Sequence, residues 1–458
     1  MIVSFSVSNF RSFLAEETLS LIASKRLSAS QSEHDLHTMP IPNSDERVLR
    51  MAVIYGANGA GKSNLFKALR YVERVALRSS KRNAGTKREA FHFRTKSELP
   101  STFDLQFIAN NKLYRFGFKA DDVRITEEWL VEVIGNQERI IYERITDSSG
   151  KVEIEAKELK AIGKKLAALA TIGGPQNQSF LATINITLDS SDIGDELLGI
   201  LKWFKHTLDM VAPDESYASL GHELNNDSNF LKFAGEFLKS SSTGVDFLSA
   251  QKTEISEDEL RSMLPKQLVE QLIDTLNEKE GELGIVRLPN GSDLVLEKTS
   301  ENHFYKLVVQ AAHQPESGEL YQLDISDESD GTRRLLDLIP ILHKLRNENA
   351  VYFIDEIDRS MHPMLVWKYL DFFLHSCNNK NSQIIVTTHE SNLLDLELVR
   401  RDEIWFTEKD QELSTKLYSM MDFKVRKDLE IRKHYLQGRF GAIPFLGNIE
   451  NLRIEAAR

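Results

Sequence analysis

The spacing of hydrophobic positions changes period along the chain. Near the N-terminus Ile2/Val3, Phe5 and Val7 alternate as a strand requires. Thr102–Ile108, Lys112–Phe118 and Ile125–Val133 alternate in the same way, which predicts an antiparallel lobe with Asn110-Asn111 as a hairpin turn. Between these stretches lies the continuous apolar run Met51–Tyr55, which reads as a buried strand. The segment from Ser63 to about Arg78 follows it and puts Leu65, Phe66, Leu69, Val72 and Val75 on one helical face. From Glu155 to about Glu280 the spacing becomes helical, with the stripes Leu159/Ile162/Leu166/Leu169, Leu197/Leu198/Leu201/Phe204 and Leu268 to Leu276. These stripes suit a packed helical subdomain better than a partner groove. Residues 284–326 return to strands around Pro289-Asn-Gly-Ser292. A helix is then expected over Arg333–Leu342, with Leu335, Leu336, Ile339 and Leu342 facing inward and Pro340 kinking it. The last third alternates buried runs with helix: Val351–Ile354, a helix from Leu365 to about Ser376, and Gln383–Thr388. That alternation predicts parallel strands joined by a crossover helix.

The chemistry sits at the ends of the buried runs. Gly56-Ala-Asn-Gly-Ala-Gly-Lys-Ser63 fits the phosphate-binding P-loop, G-x-x-x-x-G-K-[ST], between a strand and a helix as that loop requires. Glycines let successive N–H groups point at phosphate oxygens, and the helix N-terminus adds partial positive charge. Gly56, Asn58, Gly59, Gly61, Lys62, Ser63 and the following Asn64 are the expected nucleotide contacts. Lys62 would reach the β- and γ-phosphates of ATP, and the Ser63 hydroxyl would ligate Mg²⁺. Asp355-Glu356 ends the strand Val351–Ile354, where Asp355 would hold Mg²⁺ and Glu356 would polarise an attacking water. His389 ends the next strand and is placed to sense a γ-phosphate. Ser329-Asp-Gly331 opens the helix ahead of the Asp-Glu strand. It reads either as a simple helix cap or as a nucleotide-contacting turn.

The order of P-loop, Ser329-Asp-Gly-Thr332, Asp355-Glu356 and Thr387-Thr-His389 resembles ABC-type ATPase heads of the SMC-like kind. More narrowly it looks like the AAA ATPases of the OLD-like and abortive-infection group, of the AbiLi/RloA type. The opening Asn9-Phe-Arg-Ser-Phe13, the stretch Asp355-Glu-Ile-Asp-Arg-Ser-Met-His-Pro363 and the tail Tyr435-Leu-Gln-Gly-Arg-Phe-Gly-Ala-Ile-Pro444-Phe are similar to that group. The resemblance implies an α/β P-loop NTPase of ABC-ATPase head type with an antiparallel β lobe and a mainly helical insertion. Its expected divisions are an N-terminal lobe 1–154, an insertion 155–320 and a C-terminal lobe 321–458. It also implies a homodimer in which Ser329 and Gly331 reach the ATP of the other subunit, and Arg11 as a further nucleotide contact. By resemblance the role is antiphage defence beside a separately encoded effector, nuclease or Toprim-like. A Q-loop glutamine is not placed by the sequence: Phe91-His-Phe-Arg94 lies about where it belongs, and Gln106 lies within an alternating strand.

Composition narrows these readings. The chain has 458 residues and a formal net charge of −12, which argues against a general nucleic-acid coat. A single cysteine, Cys377, excludes an intramolecular disulfide framework and a zinc hook. There is no long heptad run, no Asp-x-Asp pattern after His389, no signal-peptide pattern and no run of transmembrane length, so a cytoplasmic protein away from the membrane is expected. Basic stretches at Arg70, Arg74, Arg78, Lys81, Arg82, Lys87 and Arg88, and at Lys424, Arg426, Lys427, Arg432, Lys433 and Arg439, are solvated surface or track a phosphate backbone. Two rivals to the defence reading follow: a RecF/SMC-like DNA repair or recombination ATPase, and a scaffold that binds ATP without turnover.

Overall fold

The computed structural model describes the whole chain except residues 28–34, 82–83, 94–98, 160–162, 218, 271–272, 274–282, 288–292, 299–303, 378–380, 425–429 and 444–458. It divides into two units, Met1–Pro213 with Leu345–Asp358 and Trp367–Arg458, and Asp214–Lys344 with Arg359–Val366.

Among the described residues the first unit holds two large sheets and the small antiparallel pair Thr38–Pro40 with Arg47–Leu49. One is built on parallel strands in the order Leu208–Val211, Val351–Ile354, Gln383–Thr388, Met51–Gly56 and Ile404–Lys409, with Thr415–Ser419 added antiparallel at the edge. Every residue of Met51–Gly56, Val351–Ile354 and Gln383–Thr388 is buried, as central parallel strands covered on both faces must be. Gln383–Thr388 lies between the P-loop strand and the Asp-Glu strand. The other sheet is antiparallel and seven-stranded, in the order Val152–Glu155, Gln137–Thr146, Ile125–Ile134, Lys112–Ala120, Ser101–Ala109, Ile2–Ser8 and Glu17–Ser20. Asn110 and Asn111 make its hairpin turn at φ 49° and 57°, the left-handed pair that a two-residue turn needs.

The helix Lys62–Leu77 shares one apolar core with both sheets. Phe66 meets Phe353 of the parallel sheet edge-on at 5.5 Å, and Tyr71 packs on Phe103 of the antiparallel sheet at 5.0 Å. Gln383, fully buried, adds a polar bond between the sheets. Its Oε1 accepts from the Ile2 N–H at 2.7 Å, and its Nε2 donates to the carbonyls of Ile2 and Leu49 at 2.9 and 2.7 Å.

The stretch expected to be helical from Glu155 to Glu280 is only partly so. The helix Lys164–Ile172 buries Leu166 and Leu169 and the helix Asp195–Lys202 buries Leu197 and Leu201, as expected; Phe180–Thr187 is a further helix that no expected stripe marked, Leu208–Val211 joins the parallel sheet and Phe247–Ile255 is a strand. Four residues of Leu-Asp-Met-Val are too few to display a period, and their pairing partner Val351–Ile354 lies far along the chain. In the second unit the helices Leu220–Asn226 and Ser228–Ser240 pack on a sheet containing Phe247–Ile255, Leu283–Arg287, Asp293–Lys298, Phe304–His313 and Tyr321–Asp324. The helix Asp330–Asn347 runs unbroken through Pro340. Ile162, Leu276, Pro289 to Ser292 and Pro444-Phe445, named from the sequence, lie outside the described residues. No described helix is long and apolar enough to cross a membrane.

A buried ion pair fixes the helix Phe180–Thr187 to the antiparallel sheet. Glu128 and Arg144 are both inaccessible, and their closest atoms are 4.0 Å apart. Glu128 accepts from the Tyr142 hydroxyl at 2.6 Å and from the Phe180 N–H at 2.8 Å, so its carboxylate sits at the positive end of the helix. Burial pushes its pKa up, against the pull of Arg144 and these donors. Arg144 donates to the carbonyls of Ile125, Pro175 and Gln176. Replacing Glu128 by Ala leaves Arg144 buried without its counter-charge and should destabilise the first unit by about 3–5 kcal/mol. Thermal unfolding would show this as a large fall in Tm, with Glu128→Gln losing less because it keeps an acceptor.

Candidate functional site

Strand register brings the separated motifs to one place. Ile384–Thr388 pairs in parallel with Met51–Tyr55, and Val351–Ile354 pairs with Gln383–Val386. The P-loop, Asp355-Glu356 and His389 therefore leave three adjacent strands at the same end, which is where open α/β sheets bind ligands.

Lys62 is the first residue of the P-loop helix and is 4% exposed. Its Nζ donates to the carbonyls of Gly56 and Ala57 at 2.7 and 3.3 Å and lies 3.2 Å from His389 Nδ1. That contact makes His389 Nδ1 the acceptor. Burial lowers the Lys62 pKa to about 8, against the opposing pull of Asp355, Glu356 and Asp358. Gly61 must be glycine on two counts. Its φ is 119°, and a Cβ there would stand 2.1 Å from Thr415 Oγ1. A Cβ on Gly56 would meet Thr407 Oγ1 at 2.2 Å. Asn58 and Gly59 are exposed on the outside of the loop, and Ser63 is half-buried.

One side chain that sequence reasoning passed over organises the acidic pair. Thr387 Oγ1 donates to Asp355 Oδ1 at 2.6 Å and accepts from the Glu356 N–H at 2.8 Å. Asp355 is 2% exposed. Glu356 takes a left-handed backbone, φ 50°, a conformation that side chains other than Asn and Asp seldom adopt, so Thr387 holds it against local strain. The only signal in the sequence was a threonine at a strand end, which reads equally well as β-branched filler. Asp358 is a second omission: its Oδ2 accepts from the His389 N–H at 3.3 Å.

Arg11 and Asn64, both expected at the nucleotide, each have a protein partner in this structure. Arg11, at φ 50°, pairs with Glu89, and its backbone N–H donates to the Glu89 carbonyl at 2.8 Å. Asn64 Nδ2 donates to Ser12 Oγ at 2.8 Å, and Thr415 Oγ1 lies 2.8 Å both from that hydroxyl and from the Ala60 carbonyl. Residues Asn9 to Phe13 thus brace the P-loop. Phe91 and His92 pair with this turn through Asn9 Oδ1 and the Arg11 carbonyl, Gln106 lies on the strand Ser101–Ala109, and Arg94 lies outside the described residues. Ser329 and Gly331 belong to the second unit. Ser329 caps the helix Asp330–Asn347, its Oγ accepting from the Thr332 N–H at 3.2 Å, so the capping role is present.

The arrangement holds groups suited to three tasks: a buried cation in Lys62 that phosphate would pair with, oxygen atoms in Asp355 and Ser63 of the kind Mg²⁺ takes, and in Glu356 a carboxylate of the kind that orients water. Among the described residues there is no cluster of three or more His, Cys, Asp or Glu placed around a metal. Mg²⁺ bound beside ATP needs none, since phosphates and water complete its octahedron.

Two outcomes follow. Thr387→Val removes the donor to Asp355 and the acceptor for Glu356 at nearly constant volume. It should lower kcat by roughly tenfold to a hundredfold through misplacement, with much less effect on nucleotide affinity, as paired turnover and calorimetric measurements would record. The second concerns pH. A phosphate favours the ammonium form of Lys62, so nucleotide affinity should be flat with respect to this group well below its pKa and fall as pH rises through about 8, where the free protein loses the proton. Titrations from pH 6.5 to 9.5 should show that fall, and Lys62→Met should lack it.

Comparison with known proteins places this geometry in a family. Residues 51–168 and 185–395 match the sequence model of the family described as "AAA domain, putative AbiEii toxin, Type IV TA system". Comparison with curated proteins finds no significant match. Solved structures similar to the chain include the SMC head domain from Thermotoga maritima, at 11% identity and TM-score 0.38, covering 93% of this chain and 99% of that one. Another is an SmcHead bound to the C-winged helix domain of ScpA, at 15% identity and TM-score 0.37, covering 91% and 97%. A third is the Smc head domain with an extended coiled coil bound to the C-terminal domain of ScpA derived from Pyrococcus furiosus, at 13% identity and TM-score 0.37, covering 96% and 98%. The match covers most of the chain, with the P-loop and the Asp-Glu strand inside it, and the chain belongs to the AAA-domain family that carries the AbiEii description.

Proposed function

We propose that the chain binds and hydrolyses Mg·ATP at the ends of its three central strands and uses the cycle to close and reopen a homodimer. The observation that supports this reading is the double hydrogen bond of Thr387, which joins the Asp355 carboxylate to the Glu356 backbone at the strand end. Lys62 would bind the β- and γ-phosphates, and Ser63 and Asp355 would hold Mg²⁺. Glu356 would orient the attacking water, and His389, already against Lys62, would contact the γ-phosphate. Ser329 and Gly331 would reach the ATP of the second copy. The biological reading is an antiphage, abortive-infection ATPase acting with a separately encoded effector. The family description and the resemblance of the chain's two end segments to that group support it.

A second reading has its own observation. Lys67, Arg70, Arg78, Lys81 and Lys87 are exposed along and after the P-loop helix, in a chain of net charge −12. A RecF/SMC-like ATPase would use such cations on a DNA backbone, and its mark would be ATP-dependent, salt-sensitive DNA binding.

The dimer test uses Glu356→Gln, which keeps the shape and loses the base. The variant should bind ATP, fail to release phosphate and double in mass by light scattering on adding ATP and Mg²⁺. Ser329→Arg in the same chain should prevent the doubling. Phosphate release by Glu356→Gln at the wild-type rate would remove the catalytic assignment, and wild-type turnover by Ser329→Arg alone would leave Ser329 as a helix cap only.

A further inference from the structure

The strand that leads into the P-loop carries a buried phenol with no hydrogen-bond partner among the described residues. Tyr55 is 0% exposed, and its hydroxyl is unmatched. Phe406 and Tyr435 enclose its ring at centroid distances of 6.1 and 5.9 Å. Tyr435 comes from the C-terminal helix Ile431–Leu436, stacks on Phe406 and donates its own hydroxyl to the Ala442 carbonyl at 3.1 Å. The tail segment singled out in the sequence thus walls off Tyr55. Burial raises the Tyr55 pKa well above its ordinary value, with Tyr435, Asp358, Glu390 and Asp395 adding to the rise, so the phenol remains a neutral donor.

An unmatched acceptor complements it. Asp358 Oδ1 is buried without a hydrogen-bond partner among the described residues, while Oδ2 accepts from the His389 N–H. A buried donor and a buried acceptor that are both unmatched are each costly, and such groups are few in native proteins and call for a reason. The two groups flank His389 from neighbouring strands: Tyr55 lies on the P-loop strand level with Thr388 in the sheet register, and Asp358, in the turn after the Asp-Glu strand, holds the His389 backbone.

We propose that Tyr55 is a positioning residue for hydrolysis, its hydroxyl donating to Asp358 Oδ1 in the turnover-competent form of the site and so fixing His389 through the other Asp358 oxygen. This rests on the ATPase reading above. The bond ties the P-loop strand to the turn after Glu356, so that Lys62, Glu356 and His389 move as one body during the reaction. Removing it costs turnover and spares binding, because Lys62 and its loop remain intact.

The test is Tyr55→Phe in the full chain. Losing an unmatched buried hydroxyl leaves Tm unchanged or raises it. The proposal predicts that kcat nevertheless falls by roughly tenfold or more while ATP affinity stays within about twofold. Asp358→Ala should lose turnover as well, and the double variant should be no slower than the slower single, as expected for two halves of one interaction. Wild-type kcat in Tyr55→Phe, or losses that multiply in the double variant, would overturn the inference while leaving the ATPase reading standing. A wild-type chain that releases no phosphate would overturn both.

Discussion

Parallel register at the centre of the first unit is the constraint on which the site depends. Gln383–Thr388 is hydrogen-bonded to the P-loop strand on one side and to the Asp-Glu strand on the other. The three strands are buried throughout, so a one-residue slip would turn core side chains onto the wrong face. With the register fixed, Thr387 falls level with Asp355, and a single hydroxyl can both donate to that carboxylate and hold the left-handed turn at Glu356. The geometry of the acidic turn is a by-product of core packing.

The loop that meets the phosphates is held from outside the parallel strands as well. Ser12, from the turn after the first antiparallel strand, takes a hydrogen bond from Asn64, and Thr415 bonds its hydroxyl and the Ala60 carbonyl. The same Thr415 leaves no room for a side chain on Gly61. Segments near both ends of the chain therefore fix the P-loop, and the aromatic clamp of Phe66 on Phe353 and Tyr71 on Phe103 seats its helix between the sheets. Conformational entropy that a glycine-rich loop would otherwise keep is removed in advance, which favours tight and well-oriented phosphate binding.

Much of this was legible in the sequence because it is local. The P-loop pattern, the apolar runs ending at Asp355 and His389, and the Asn110-Asn111 turn each lie within a dozen residues, and the structure has a strand, helix or turn at each. What was not legible is non-local. Thr387 acquires its role only from partners at positions 355 and 356, and Leu208–Val211 becomes a strand only because Val351–Ile354 offers it an edge. The partners of Asn64 and Arg11, Ser12 and Glu89, are likewise distant in sequence, so neither bond could be read from the motif that contains the residue.

The central claim is that Lys62, Ser63, Asp355 and Glu356 make one Mg·ATP site at the ends of the central strands. Electron paramagnetic resonance with Mn²⁺ in place of Mg²⁺ addresses it most directly. The account predicts that Mn²⁺ binds tightly only when ATP is present, shows hyperfine coupling to ³¹P, and loses affinity by roughly tenfold or more in Asp355→Asn, as expected when a charged ligand is removed. Mn²⁺ binding that is independent of ATP, lacks ³¹P coupling or is unchanged in Asp355→Asn would contradict it.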